Sequence, residues 1–160
     1  MELPRFSFGI GDRFGREARA QLRALDAARL AGIEIAPVWN KSNREHNLIG
    51  SEPAQVRAAA DAAVAAAGWT GPHFVDADHI GLATVDRFLE ASDFFTLDVA
   101  ERIGRAPPPA DADAFVDAMR PHFGGIALEG LSAPLHLDAN RAAAAAETFL
   151  SAAQEAGRIY

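Results

Sequence analysis

The chain contains no cysteine, so disulfides and thiolate metal ligands are excluded. It is short of lysine as well: Lys41 stands alone, and every other basic side chain is arginine. Basic residues are outnumbered 15 to 22 by acidic ones, for a net charge of −7. That balance argues against nucleic acid or an anionic membrane as the main partner. No apolar run approaches the roughly 18 to 20 residues that cross a bilayer. The N-terminal residues lack the basic segment and apolar stretch of a secretion signal. A cytoplasmic address is the expectation. What remains is a chain of 160 residues, 49% apolar and 23% charged, which is the make-up of one globular domain with a real core.

Read in order, the chain alternates strand and helix signals. Residues 6–10 read as a strand ending at Gly11-Asp12-Arg13, and 16–31 as a helix stopped by Gly32. Residues 33–38 form a second apolar strand with Pro37 near its end. A dense polar loop over 39–47 follows. Ser51 is positioned to cap a helix through Val56, Ala60, Ala63 and Ala67, which Gly68 closes. Residues 74–78 give a third strand, Thr84 opens a short helix, and 94–98 give a fourth strand. Pro107, Pro108 and Pro109 mark a stiff loop over 105–110. A helical tail over 111–160 comes after it: one helix through Phe115 and Met119 stopped by Gly124-Gly125, and a last Ala-rich helix from about 139 to 158 capped by Asp138. The expected fold is α/β, with repeated βα units of a parallel sheet in a single domain over 1–160 whose strand-helix core covers about 6–104. Four strands do not close a (β/α)8 barrel, so the chain is expected to be part of a larger barrel or a small open sheet.

Loops that follow parallel strands gather at one sheet edge. Asp12 and Arg13, the loop from Asn40 to His46, Asp76, Asp78 and His79, and Asp98 all occupy such positions and should converge. Asp76 and Asp78 share one face of an extended strand because side chains alternate. His79 sits where that strand ends. An Asp/His cluster of this kind binds a metal, moves a proton, or does both; strand-end carboxylates also serve as plain caps. Asn40, Lys41, Ser42, Asn43 and Arg44, with His46 beside them, suit recognition of a polyhydroxylated anionic small molecule. Lys41 is the first choice for its carboxylate, and Arg13 and Arg44 are the alternatives. Asp98 is either an orienter of a ligating histidine or a loop cap. The spacing of Gly9, Gly11 and Gly15 is one residue too long for a dinucleotide fingerprint, so no nucleotide cofactor is expected. His73, His122 and His136 lack metal-type spacing and are assigned to structure.

Four stretches together resemble the tagaturonate/fructuronate epimerase family. They run from Phe6 to Arg13, from Pro37 to His46, from Phe74 to Ile80 and from Asp93 to Ala100, and the likeness is strongest over 7–104. Members of that family are much longer. The resemblance implies the N-terminal half of a TIM-like barrel, with further metal ligands and a proton donor contributed by later strands; a missing C-terminal half or a homo-oligomer is the expected partner. It implies an isomerase of hexuronate catabolism that uses a divalent cation, with zinc, manganese, nickel and cobalt as candidates. Asp78 then matches the proton acceptor and His79 a metal ligand. Asp12, Arg13, Asn40, Lys41, Ser42, Asn43, Arg44, His46, Asp76 and Asp98 are the groups expected around a keto-hexuronate. The rival expectation, resting on length, is a non-catalytic α/β binding or assembly module.

Overall fold

The protein is described by a computed structural model covering residues 4–160. Its first compact unit ends at Leu97 and its second is Asp98–Tyr160. The first unit holds strands β1 (Ser7–Gly11), β2 (Ala36–Ser42), β3 (Phe74–Ile80) and β4 (Phe94–Leu97), and helices α1 (Ala18–Leu30), α2 (Asn43–Ile49) and α3 (Pro53–Ala67). The four strands are parallel and lie side by side in chain order. The expected α/β sheet of repeated βα units is therefore present.

One face of the sheet carries the helices. Leu22 of α1, Trp39 of β2, Ala60 and Ala63 of α3 and Val75 of β3 form a single buried cluster, joined by Ile10, Ala18 and Val56. Both helices thus cover the same face, as repeated right-handed crossovers in one direction require. The small alanines of α3 let it approach the strands closely. On the other face Ala36, Val38 and Phe74 form a smaller cluster with Phe94, and the Phe74 and Phe94 rings meet edge to face at 5.1 Å. Farther along the same face, alternation brings up Asn40 and Ser42 of β2 and Asp76 and Asp78 of β3. This face changes from apolar to polar toward the strands' C-terminal ends.

Three local expectations are corrected. Residues 39–47 are not a loop: β2 continues through Ser42, and α2 begins at the next residue. The cause is a capping box, in which the Ser42 hydroxyl accepts from Glu45 N at 3.3 Å and the Glu45 carboxylate accepts from Ser42 N at 3.1 Å. Ser51 does not cap α3. Glu52 occupies the cap position with Pro53 as the first helical residue, and the Gln55 side chain accepts from Glu52 N at 2.8 Å. Pro37 lies near the start of β2, in the middle of the sheet. Ala36 N donates to Phe6 O, so the next backbone position points away from β1, and pairing with β3 begins only at Val38. The missing N–H of Pro37 therefore costs no ladder bond.

In the second unit Pro109 opens helix α4 (Pro109–Met119), and a tight turn over Arg120–His122 ends it around Pro121. Gly124 and Gly125 do not stop that helix. They belong to β5 (Gly124–Ile126), which pairs antiparallel with β6 (Leu135–Leu137). Asp138 caps the last helical stretch by accepting from Arg141 N at 2.9 Å. That stretch runs as α5 (Ala139–Ala145), a wider π segment over Ala146–Leu150, and α6 (Ser151–Ile159). No helix among the described residues is long and apolar enough to cross a membrane.

Candidate active site

The C-terminal ends of β2 and β3 are in register, with Asn40 beside Asp76 and Ser42 beside Asp78. Asn40 also pairs with Gly11 of β1. A Cβ at Gly11 would lie 2.8 Å from Asn40 Oδ1. The glycine therefore makes room for the Asn40 side chain to lie across β1, which explains it without a nucleotide.

Asp76 is buried, and both of its oxygens accept from the Thr96 hydroxyl of β4, at 3.0 and 2.9 Å. Burial pushes its pKa up and the nearby Asp78 charge adds to the rise, against a downward pull from Thr96. Asp76 holds a proton more readily than an ordinary carboxyl. At the next position on the same face Asp78 Oδ1 lies 2.8 Å from His79 Nδ1. The His79 side chain is 65% exposed. His79 is the one non-glycine residue with positive φ among those described, at 53°. Register with β4 shifts between Ala77 and Ile80. A bulge thus turns His79 outward at a strained backbone position, a feature that concentrates at functional sites.

Other expected site residues are engaged in structure. The Asp12 carboxylate accepts from the backbone N–H groups of Phe14, Arg16 and Glu17, where α1 begins. Burial raises its pKa, but these contacts outweigh that and lower it. Ser42 is the cap of α2. The Asn43 side chain accepts from Arg87 Nη1 at 2.7 Å. His46 is fully buried, with Nδ1 against the Ser51 hydroxyl at 2.9 Å and its ring 5.6 Å from that of Phe88. Burial first, then the Lys41 and Arg87 charges, depress its pKa to about 4, so it is neutral at physiological pH. Asp98 belongs to the second unit and accepts from Ala100 N at 3.4 Å, a loop-capping contact.

The cations separate. Arg13 pairs with Glu45 at 3.6 Å, and with Arg44 it borders a shallow, open depression on the outside of α2. Lys41 alternates to the helix-covered face, opposite Asn40, Asp76 and Asp78, and is buried there. The structure therefore brings together Asn40, Asp76, Asp78 and His79, and sets Arg13 and Arg44 apart from them, with Lys41 on the face opposite the two carboxylates.

Two residues passed over in the sequence shape this region. Arg87 donates to Asn43, Asn47, the Ser51 carbonyl and Glu52 at 2.7 to 3.0 Å. Asp93 binds Arg57 and accepts from Val75 N at 2.8 Å, which ties α3 to β3 and β4. Only their charge on otherwise apolar elements could have flagged them.

The profile of the tagaturonate epimerase family (UxaE) matches residues 1–120. No curated protein matches by sequence. Among solved structures, the native fructuronate-tagaturonate epimerase of Cohnella laeviribosi superposes with a TM-score of 0.68 at 23% identity, over 97% of this chain and 34% of that one. Its form with one glycerol gives 0.66 at 23% identity, over 93% and 32%. The chain spans about a third of the length of these relatives, and at this identity they speak for the fold. By the profile match across most of its length, this chain belongs to the tagaturonate epimerase family.

Proposed function

We propose that the protein is a metal-dependent epimerase, or the N-terminal part of one, that interconverts tagaturonate and fructuronate. The sheet then forms the first strands of a TIM-like barrel, with the Asn40/Asp76/Asp78 face turned inward. The observation that carries this reading is the Asp78–His79 pair at the C-terminal end of β3, in a chain of the epimerase family. Catalytic groups of barrel enzymes sit at that end of the strands.

The residues fit a divalent cation in part. His79 offers an exposed imidazole, and Asp78, with Oδ1 2.8 Å from its Nδ1, is placed to orient it, as carboxylates do for ligating histidines. No group of three His, Asp or Glu side chains that could hold a metal occurs among the described residues, so the other ligands would come from elsewhere. When bound, the cation supplies Lewis-acid polarisation.

The carbinol that is inverted lies β to the ketone, so its C–H is not acidic and enolisation does not reach it. A retro-aldol route does. Asp78 Oδ2, not engaged by His79, takes the proton of that carbinol hydroxyl. The C–C bond toward the ketone breaks, leaving an aldehyde and an enediolate. The aldehyde turns, the bond re-forms on its other face, and Asp78 returns the proton. Asn40 and the protonation-prone Asp76, in register beside Asp78, hold neighbouring hydroxyls. Asp78→Asn should lower turnover by about a hundredfold or more, the scale of a lost general base, with metal content nearly unchanged. Turnover equal to wild type would remove Asp78 from the role of base.

A further inference from the structure

The helix-covered face of the sheet holds a cavity of about 260 Å³ whose lining reaches Asn40 but neither Asp76 nor Asp78. It lies between α1, the end of β2 and the start of α3, and Ile10, Phe14, Ala18 and Val56 give it an apolar wall. Its polar lining is unusual. Lys41, the only lysine in the chain, is 3% exposed, and no hydrogen bond or ion pair engages it among the described residues. A Cβ at Gly15 would stand 3.3 Å from its Nζ, so the ammonium lies beside that turn. Trp39, 4% exposed, turns its Nε1 donor into buried space with no partner. Gln21 donates Nε2 to the Gly11 carbonyl at 3.0 Å and leaves Oε1 buried without a partner. All three residues line this one cavity. Buried polar groups are normally paired, and the Trp39 Nε1 and Gln21 Oε1 atoms are exceptions that face one cavity. Asp12 also borders the cavity, but its carboxylate is held by the α1 backbone.

We propose that this cavity is a binding site for a small hydroxycarboxylate. The carboxylate accepts from Lys41 Nζ and Trp39 Nε1, a hydroxyl donates to Gln21 Oε1, and the carbon skeleton lies on the apolar wall. The site is separate from Asp78, because Lys41 and Asp78 project from opposite faces of the sheet. A second molecule of a uronate and a smaller hydroxy acid share this chemistry, and the size of the probe distinguishes them. The proposal does not depend on the epimerase reading, since binding is measured without turnover.

Calorimetric titration of the wild-type protein with D-glycerate and with D-glucuronate, each against its methyl ester, tests it. At least one anion should bind, and its ester at least about tenfold more weakly, as loss of a charge-assisted contact implies. Lys41→Met should weaken the anion by about tenfold or more, and Asp78→Asn should leave its affinity unchanged. Trp39→Phe, which removes the N–H together with the five-membered part of the indole, should also weaken it and decides the matter if Lys41→Met does not fold. The proposal is overturned if neither anion binds at millimolar concentration, if the Lys41 or Trp39 variant binds as wild type does, or if Asp78→Asn abolishes binding too.

Discussion

His46 carries the largest shift in proton affinity among the described residues, and its sign sets an acid limit on stability. Above pH 6.5 the ring is neutral in the folded and unfolded chain alike. As pH falls, the unfolded chain takes up the proton from about 6.5, the folded chain only near 4. Folded stability should therefore decline across that window, by on the order of 3 kcal/mol if the full shift is expressed. Asp76 works the other way: its raised pKa lets the folded chain bind a proton first, which offsets part of the loss on acidification. Urea unfolding from pH 7 to pH 4 should show the decline, and His46→Gln should flatten it; an unchanged slope would contradict the burial argument. His79 offers a second check. At φ 53° a β-branched residue is strained, so His79→Val should cost about 1 to 2 kcal/mol, while His79→Gly should stay within about 1 kcal/mol of wild type. Thermal unfolding measures both. The Asp78–His79 pair was legible from adjacency at a strand end. The roles of Asp12, Ser42, Asn43 and His46 were not, because residue type does not reveal which backbone N–H or buried neighbour will claim a side chain.

Helix α2 is the element whose position depends most on one side chain. It has only seven residues, too few to stand alone. Its capping box fixes one end, and Arg87 fixes its flank through Asn43 and Asn47 and reaches on to Ser51 and Glu52. Arg87→Ala leaves those acceptors without their shared donor and should cost roughly 1 to 3 kcal/mol. Amide hydrogen exchange should then quicken first over 43–52; a uniform change across the sheet would contradict the local role. The helix–strand order of this unit was readable because hydrophobic period and glycine stops agree, as at Gly32 and Gly68. The 39–47 stretch misled because its polarity suggested a loop, whereas the Ser42–Glu45 capping signal sits inside it and joins strand directly to helix. Residues 126–137 read only as irregular chain or short strand, and the β5–β6 pairing was not visible, because two glycines and three-residue strands carry almost no period.

At the scale of the whole molecule, four parallel strands in chain order with both long helices on one face leave β1 and β4 as open edges among the described residues. Open edges seek further strands, and the relatives of known structure are about three times as long. In the proposed function Asp78, placed by this sheet, serves an epimerisation that breaks and remakes a carbon–carbon bond. The most direct test follows tagaturonate by proton NMR in deuterium oxide, using the protein in the form the cell makes, with a divalent cation supplied. Fructuronate should appear with the hydrogen on its inverted carbon retained, and Asp78→Asn should suppress its appearance. Fructuronate carrying deuterium at that carbon, or no fructuronate from the wild-type protein, would contradict that function.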